Sequence, residues 1–212
     1  MISIKKFTVN PLQENSFVVY DESSECIFVD PGFYFPEERE KVKRYILEHN
    51  LKPLFIANTH CHFDHILGVE FVRREYGIDF LTHRDDAFWV EAAIEQGEMF
   101  GFQIEAVGEP DAFFGENDLI EFGNSSLRVI HIPGHSPGHV VFYSEADKIL
   151  LSGDIIFKGS IGRTDLPGGN FNQLVSGIHD KLFTLPADVN ILCGHGPSTT
   201  IGFEKLSNPF LT

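Results

Sequence analysis

At 212 residues the chain is long enough for one sizeable hydrophobic core, and its 42% hydrophobic content is ordinary for a globular protein. A formal net charge of -15 repels phosphate backbones and anionic lipid, which sets nucleic acid and membrane surfaces aside as partners. Three scattered cysteines, Cys26, Cys61 and Cys193, form no disulfide framework and read as free thiols in a reducing compartment.

The opening MISIKKFTVN has two lysines with no apolar run behind them, and no later stretch reaches the ~20 apolar residues a membrane span needs. The expectation is a single soluble, cytoplasmic domain over residues 1–212. SFVVY and CIFVD, on either side of the polar DESSE, predict a hairpin of β-branched and aromatic strands. PEEREKVKRYILEHN predicts a helix, with Pro36 at its first position, glutamates in its first turn, and Val42, Tyr45, Ile46 and His49 on one face. PLFIANT predicts a buried strand that runs into THCHFDH. GVEFVRREYG predicts a helix closed by Gly77, DFLTH a short strand, and RDDAFWVEAAIEQGEMF a helix weakened by a glycine near its end.

From Gly101 to Asn117, phenylalanines, glycines and acids mix without period, and the segment reads as a loop or lid. Four strands follow in DLIEFG, SLRVIHI, HVVFYSE and KILLSGD, then the helix FNQLVSGIHDKLFTL and a last strand NILCG. The pattern is mixed α/β, without a linker, low-complexity tract or repeat.

Five apolar runs end alike in a potential metal ligand or its supporter, all but the second beside glycine or proline: FVDPG, IANTHCH, IHIPGH, LLSGD and ILCGHG. Strand ends therefore deliver Asp30, the His60 cluster, His135, Asp154 and His195 into loops. Sheets gather such ends along one edge, where loops build a site on a rigid scaffold.

Neutral imidazoles and carboxylates are the ligands of zinc and related first-row ions, and His60 and His62 can point the same way from an extended segment. Asp64 and His65 can turn to a neighbouring point. Four donors in one short segment exceed what a single ion takes, which allows two adjacent ions. A surface or hydrogen-bonded structural role is the better reading of His49, His83 and His179. It fails for the cluster, whose ligand types beside an apolar strand would lie desolvated unless something satisfied them.

HIPGHSPGH spaces His131, His135 and His139 by four, the interval of a helix face, but Pro133 and Pro137, each followed by glycine, break any helix there. In a loop the middle histidine is the expected ligand, while His131 and His139 are expected to orient others. Cys61 and Cys193 read as small fillers beside ligands.

THCHFDH resembles the His-x-His-x-Asp-His signature of the metallo-β-lactamase superfamily, and His135, Asp154 and His195 follow in that family's order. GHSPGH, SGD, GRTDLPGG and GHGPST with the later NPF look most like a short glyoxalase II-like (hydroxyacylglutathione hydrolase-like) branch. The resemblance implies a four-layer αββα sandwich of two mixed sheets flanked by helices, with two divalent ions, zinc first and iron or manganese as alternatives. By motif, His60, His62 and His135 would bind one ion, Asp64, His65 and His195 the other, and Asp154 would bridge them. Asp30 would support the ligands from behind. Longer glyoxalase II enzymes carry a C-terminal helical extension that grips glutathione, for which the chain beyond His195 leaves no room. Arg163 would be the surviving substrate contact, beside an Asp165 where the family has a tyrosine.

The implied activity is hydrolysis of a small-molecule acyl-thiol, hydroxyacylglutathione or a relative. Two ions about 3.5–4 Å apart share a water and lower its pKa toward ~7, giving hydroxide at neutral pH. Asp64 would relay the proton. The alternative is a persulfide dioxygenase with one iron on His60, His135 and Asp154; a metal-binding protein without catalysis is the third reading. A β-lactamase is expected outside the cytoplasm, and a nuclease of this fold would need a basic patch.

Overall fold

The computed structural model describes all 212 residues, and they fall into two compact units: residues 1–114 with 121–126, and residues 115–120 with 127–212.

The first unit is built on a six-stranded mixed sheet. Its strands are β1 (Ser3–Val9), β2 (Glu14–Tyr20), β3 (Glu25–Val29), β4 (Lys52–Ala57), β5 (Asp79–His83) and β6 (Ala112–Phe114), in that spatial order. β1 to β3 pair antiparallel and β3 to β6 parallel. The predicted hairpin is β2 and β3, but β1 was not foreseen: its exposed lysines mask a strand that lies at the sheet edge, where charge blocks further pairing.

α1 (Pro36–Glu48) starts at the predicted proline, and its entry is tied by Glu38, whose Oε2 accepts from the backbone N–H groups of Tyr34 and Phe35. Val42 and Ile46 are buried, but His49 is exposed, stacked on Tyr45 rather than inside. α3 (Val69–Tyr76) ends at Gly77, whose φ of +66° is the left-handed conformation that glycine adopts without cost.

The helical run after β5 is broken: a 3-10 turn at Arg84–Asp86, then α4 (Ala87–Glu91) and α5 (Ala93–Met99). The predicted loop of residues 101–117 contains β6, and otherwise lacks regular structure up to Asp111. It is not a loose lid. Arg73 clamps Asp111 with two bonds of 3.0 and 2.9 Å, and Gly108 N donates to Glu70 at 2.9 Å.

A second sheet has the order β14-β13-β10-β9-β8-β7, with β7 at Leu119–Phe122, β8 at Ser125–His131, β9 at Val140–Ser144, β10 at Ile149–Gly153, β13 at Asn190–Cys193 and β14 at Thr199–Thr200. Its central β10 runs parallel to β13 and antiparallel to β9. The small hairpin of β11 (Ile156–Phe157) and β12 (Ser160–Ile161) follows β10. α6 (Phe171–Asp180) is capped by Asn170, whose side chain accepts from Gln173 N at 3.1 Å. α7 (Ile201–Ser207), which the sequence reading did not include, closes the fold with Ile201 buried. The second unit's core joins Ile130, Val141, Leu150 and Ile191 of this sheet to Leu174 and Ile178 of α6. No helix is long and apolar enough to cross a membrane.

Candidate metal centre

In the first unit, the parallel pairing of Val29 with Ala57 brings the residues just beyond β3 and β4 side by side. Asp30 follows β3 directly and is fully buried. Its Oδ1 accepts from Thr59 N and its Oδ2 from Thr59 Oγ1, each at 2.6 Å. Asp30 sits at φ +48°, a left-handed backbone that non-glycine residues adopt at a cost, as happens where a functional geometry is held in place by its surroundings. Asp30, His60 and His65 place one potential ligand atom each within 4.8 Å of one another.

Buried histidines here are held through Nδ1. His65 Nδ1 lies 3.2 Å from Asp30 Oδ2, and His60 Nδ1 lies 3.1 Å from the Thr59 hydroxyl. His62 begins α2 (Phe63–Ile66), a single turn that also carries Asp64 and His65. Asn58 Nδ2 bonds to the carbonyls of His60 (3.3 Å) and His65 (2.9 Å), so one amide sets the spacing across the motif.

Further supports escaped the sequence reading because they are distant in the chain. Asn10 Nδ2 donates to the Asp64 carbonyl and to Gly32 O, both at 3.1 Å, and Asp86 accepts from Cys61 N at 2.9 Å. Glu14 is fully buried with Oε1 3.8 Å from His65 Nδ1; burial pushes its carboxyl well above the usual range, although His65 pulls it the other way. The only forward signal was the polar NPLQENS run before an apolar strand.

In the second unit, the parallel register of Gly153 with Cys193 puts Asp154 and the His195 loop at the same sheet edge. β8 and β9 are joined at that end by the loop holding His135. His135 Nδ1 is 2.8 Å from the Arg163 carbonyl, which fixes the ring and leaves Nε2 directed toward Asp154 Oδ2, 3.7 Å away. His195 Nε2 is 3.6 Å from the same Oδ2. His139 accepts from Asp154 N at 3.0 Å and His131 Nε2 lies 2.8 Å from the Pro137 carbonyl, so both orient the loop as expected of them. Gly162 allows the tight approach: a Cβ there would strike the Asp154 carbonyl and come within 2.9 Å of His135 Nδ1.

Arg163, expected as a substrate contact, forms a bidentate pair with Asp165 at 2.7 and 2.8 Å, and that guanidinium holds the Asp165 carboxyl down at about 2. Lys158 lies over the Phe203 ring. His83 accepts from Asp85 N and His179 packs on Phe183, in structural roles.

The donor chemistry fits metal in both units. The first offers His60 and His65 and the second His135, all buried and anchored at Nδ1, together with carboxylates, and the first holds Asp30, Asp64 and Glu14 around His65 with no lysine or arginine among these groups. These histidine and aspartate clusters suit a dinuclear site.

The sequence model of the metallo-beta-lactamase superfamily matches residues 9–195, so the chain belongs to that superfamily. Its two mixed sheets with flanking helices are the superfamily's fold, and the chain is a metal-dependent hydrolase of this class. Among similar proteins, hydroxyacylglutathione hydrolase GloC of Haemophilus influenzae is 35% identical over 99% of this chain and 98% of its own length. The crystal structure of the BLEG-1 B3 metallo-beta-lactamase matches with a TM-score of 0.90 at 36% identity, over 99% of this chain and all of that one. The di-iron-bound form of TTHA1623 matches with a TM-score of 0.88 at 35% identity, over 98% of this chain and all of that one.

Proposed function

We propose that the protein is a cytoplasmic hydrolase of small acyl-thiols that works with two divalent ions, zinc by preference. His60, His62 and His135 would hold one ion and Asp64, His65 and His195 the other, with Asp154 as a ligand common to both sets. The observation that carries this reading is Asp154 itself. One carboxylate oxygen lies 3.7 Å from His135 Nε2 and 3.6 Å from His195 Nε2, and those two histidines belong to different ligand sets.

Bound ions supply Lewis acidity toward the acyl oxygen and a water acidic enough to attack at neutral pH. The chain's residues do the rest. Asp30 and the Arg163 carbonyl hold His65 and His135 by Nδ1, which keeps Nε2 as the donor atom. His139 fixes the Asp154 backbone at 3.0 Å. Asp64, at 8% exposure the more accessible acid of its cluster, passes a proton from the attacking water to the departing sulfur. One water is consumed, the carbon–sulfur bond breaks, a carbon–oxygen bond forms, and a carboxylic acid and a thiol leave. A thiol of pKa ~8.5 is already a good leaving group, so this proton transfer makes little demand on Asp64.

The thioester is supported by the name of the Haemophilus relative. The expected substrate contact, Arg163, is paired with Asp165 at the surface, and the reading does not specify glutathione as the thiol part. The test is anaerobic cleavage of matched thioesters with and without a glutathionyl group by the metal-loaded protein. Comparable rates on both support an acyl-thiol hydrolase without glutathione specificity, and absence of cleavage of either removes the reading.

A further inference from the structure

The unit that carries His62 also carries two groups of rings beside it that the metal chemistry does not use. Phe63 follows His62 directly and is stacked on Phe100, with centroids 5.3 Å apart and planes 25° apart. Phe102 meets Phe63 edge-on at 5.1 Å, and Tyr34 meets Phe102 at 5.2 Å. Trp89 stands edge-on to His62 itself at 4.8 Å, with Phe88 a further 4.8 Å from Trp89. Phe63 and Trp89 are buried, whereas Phe100 is 46% and Phe88 40% exposed. Rings in contact therefore lead from His62 through Trp89 to the half-exposed Phe88, and from Phe63 to the half-exposed Phe100, so apolar side chains reach solvent beside a proposed ligand.

This face is built rather than incidental. Gln96 Oε1 accepts from Phe63 N at 2.9 Å, Phe102 N donates to Gly97 O at 2.9 Å, and the Ile104 side chain fills the space a side chain at Gly97 would need. Its charge environment selects the occupant. From Asp85 to Leu127 the chain contains no lysine or arginine, while Glu91, Glu95, Glu98 and Glu105 lie in the same stretch. Of these acids Glu105 is paired with Arg74, and the surplus of carboxylates disfavours an anionic group there, whereas a neutral apolar one gains by leaving water.

We infer that this aromatic face receives the apolar acyl chain of the substrate, so the preferred substrates carry medium-chain acyl groups rather than short hydroxyacyl groups. The inference rests on the hydrolase reading and deepens it by naming the acyl class.

Two measurements test it. The first is hydrolysis of S-acyl N-acetylcysteamines from acetyl to octanoyl by the metal-loaded protein. The ratio kcat/KM rises roughly two- to fourfold per added methylene, mainly through KM, and Phe100→Ala flattens that slope. Leu206→Ala, on an exposed side chain of the other unit, leaves it intact. The second uses Trp89, the single tryptophan of the chain, as a reporter: sodium octanoate changes its emission saturably, and acetate at the same concentrations does not. Phe100→Ala weakens the octanoate response about fivefold or more. Cleavage of the whole series at a flat rate, or no difference between octanoate and acetate, overturns the inference and leaves the hydrolase reading standing. Octanoate binding with no cleavage of any thioester overturns the hydrolase reading and removes the substrate assignment with it.

Discussion

His65 and Asp30 form a fully buried pair, with the imidazole Nδ1 3.2 Å from the carboxylate Oδ2, and Thr59 holds both oxygens of that carboxylate from the other side. The arrangement fixes which ring nitrogen of His65 is left for a metal. Asp30→Asn would replace one acceptor with an amide donor facing Thr59 or His65. Metal affinity is expected to fall about 10- to 100-fold, read by titration of the apo-protein with zinc. Unchanged affinity would remove Asp30 from the support of the site.

Gly162 sits where a Cβ would strike the Asp154 carbonyl and crowd His135. Gly162→Ala should cost about 1–3 kcal/mol of stability and reduce kcat more than KM, since the displaced groups belong to the metal centre. A melting curve and a kinetic profile equal to wild type would show that the approach is slack.

Asp21 gives a pH prediction remote from the metal. Burial would raise its carboxyl, but hydrogen bonds from Ser23, Ser125 and Asn124 outweigh that and bring it from 3.8 to about 2. A depressed carboxyl stabilises the fold above its unfolded pKa and loses that contribution as pH falls through the folded one. Between about pH 4 and 2 the chain should therefore lose about 1–2 kcal/mol from this group. Asp21→Asn should show a correspondingly smaller loss over the same window in denaturant titrations.

The thiols should be inert in the folded protein. Burial pushes Cys26 and Cys193 up to about 12 and raises Cys61 well above its usual range. Iodoacetamide at pH 8 should leave all three unmodified in the native state and alkylate all three in denaturant, as counted by mass spectrometry. Fast native labelling of Cys61 would show that the THCHFDH segment opens.

The candidate ligand types were legible in the sequence because they lie where apolar runs end, most of them at glycine or proline. The prolines of HIPGHSPGH marked its three histidines as loop residues, and His139 holds the Asp154 backbone while His131 lies against the Pro137 carbonyl. What stayed hidden was long-range support. Asn10, Glu14 and Asp86 reach the motif from 54, 51 and 25 residues away, and no periodicity records such contacts. β1 was missed because its edge position puts lysines where the pattern expects apolar residues. Arg163 follows from the resemblance, and its pairing with Asp165 two residues on is a local contact that the resemblance does not convey.

The measurement that bears most directly on the central claim is metal content and anaerobic thioester cleavage, determined together for the wild type and for Asp154→Asn. Two ions per wild-type chain, activity that disappears on chelation and returns with zinc, and loss of both in the variant are the expected results. One iron per chain with oxygen consumption, or full activity after rigorous chelation, would contradict a two-metal hydrolase.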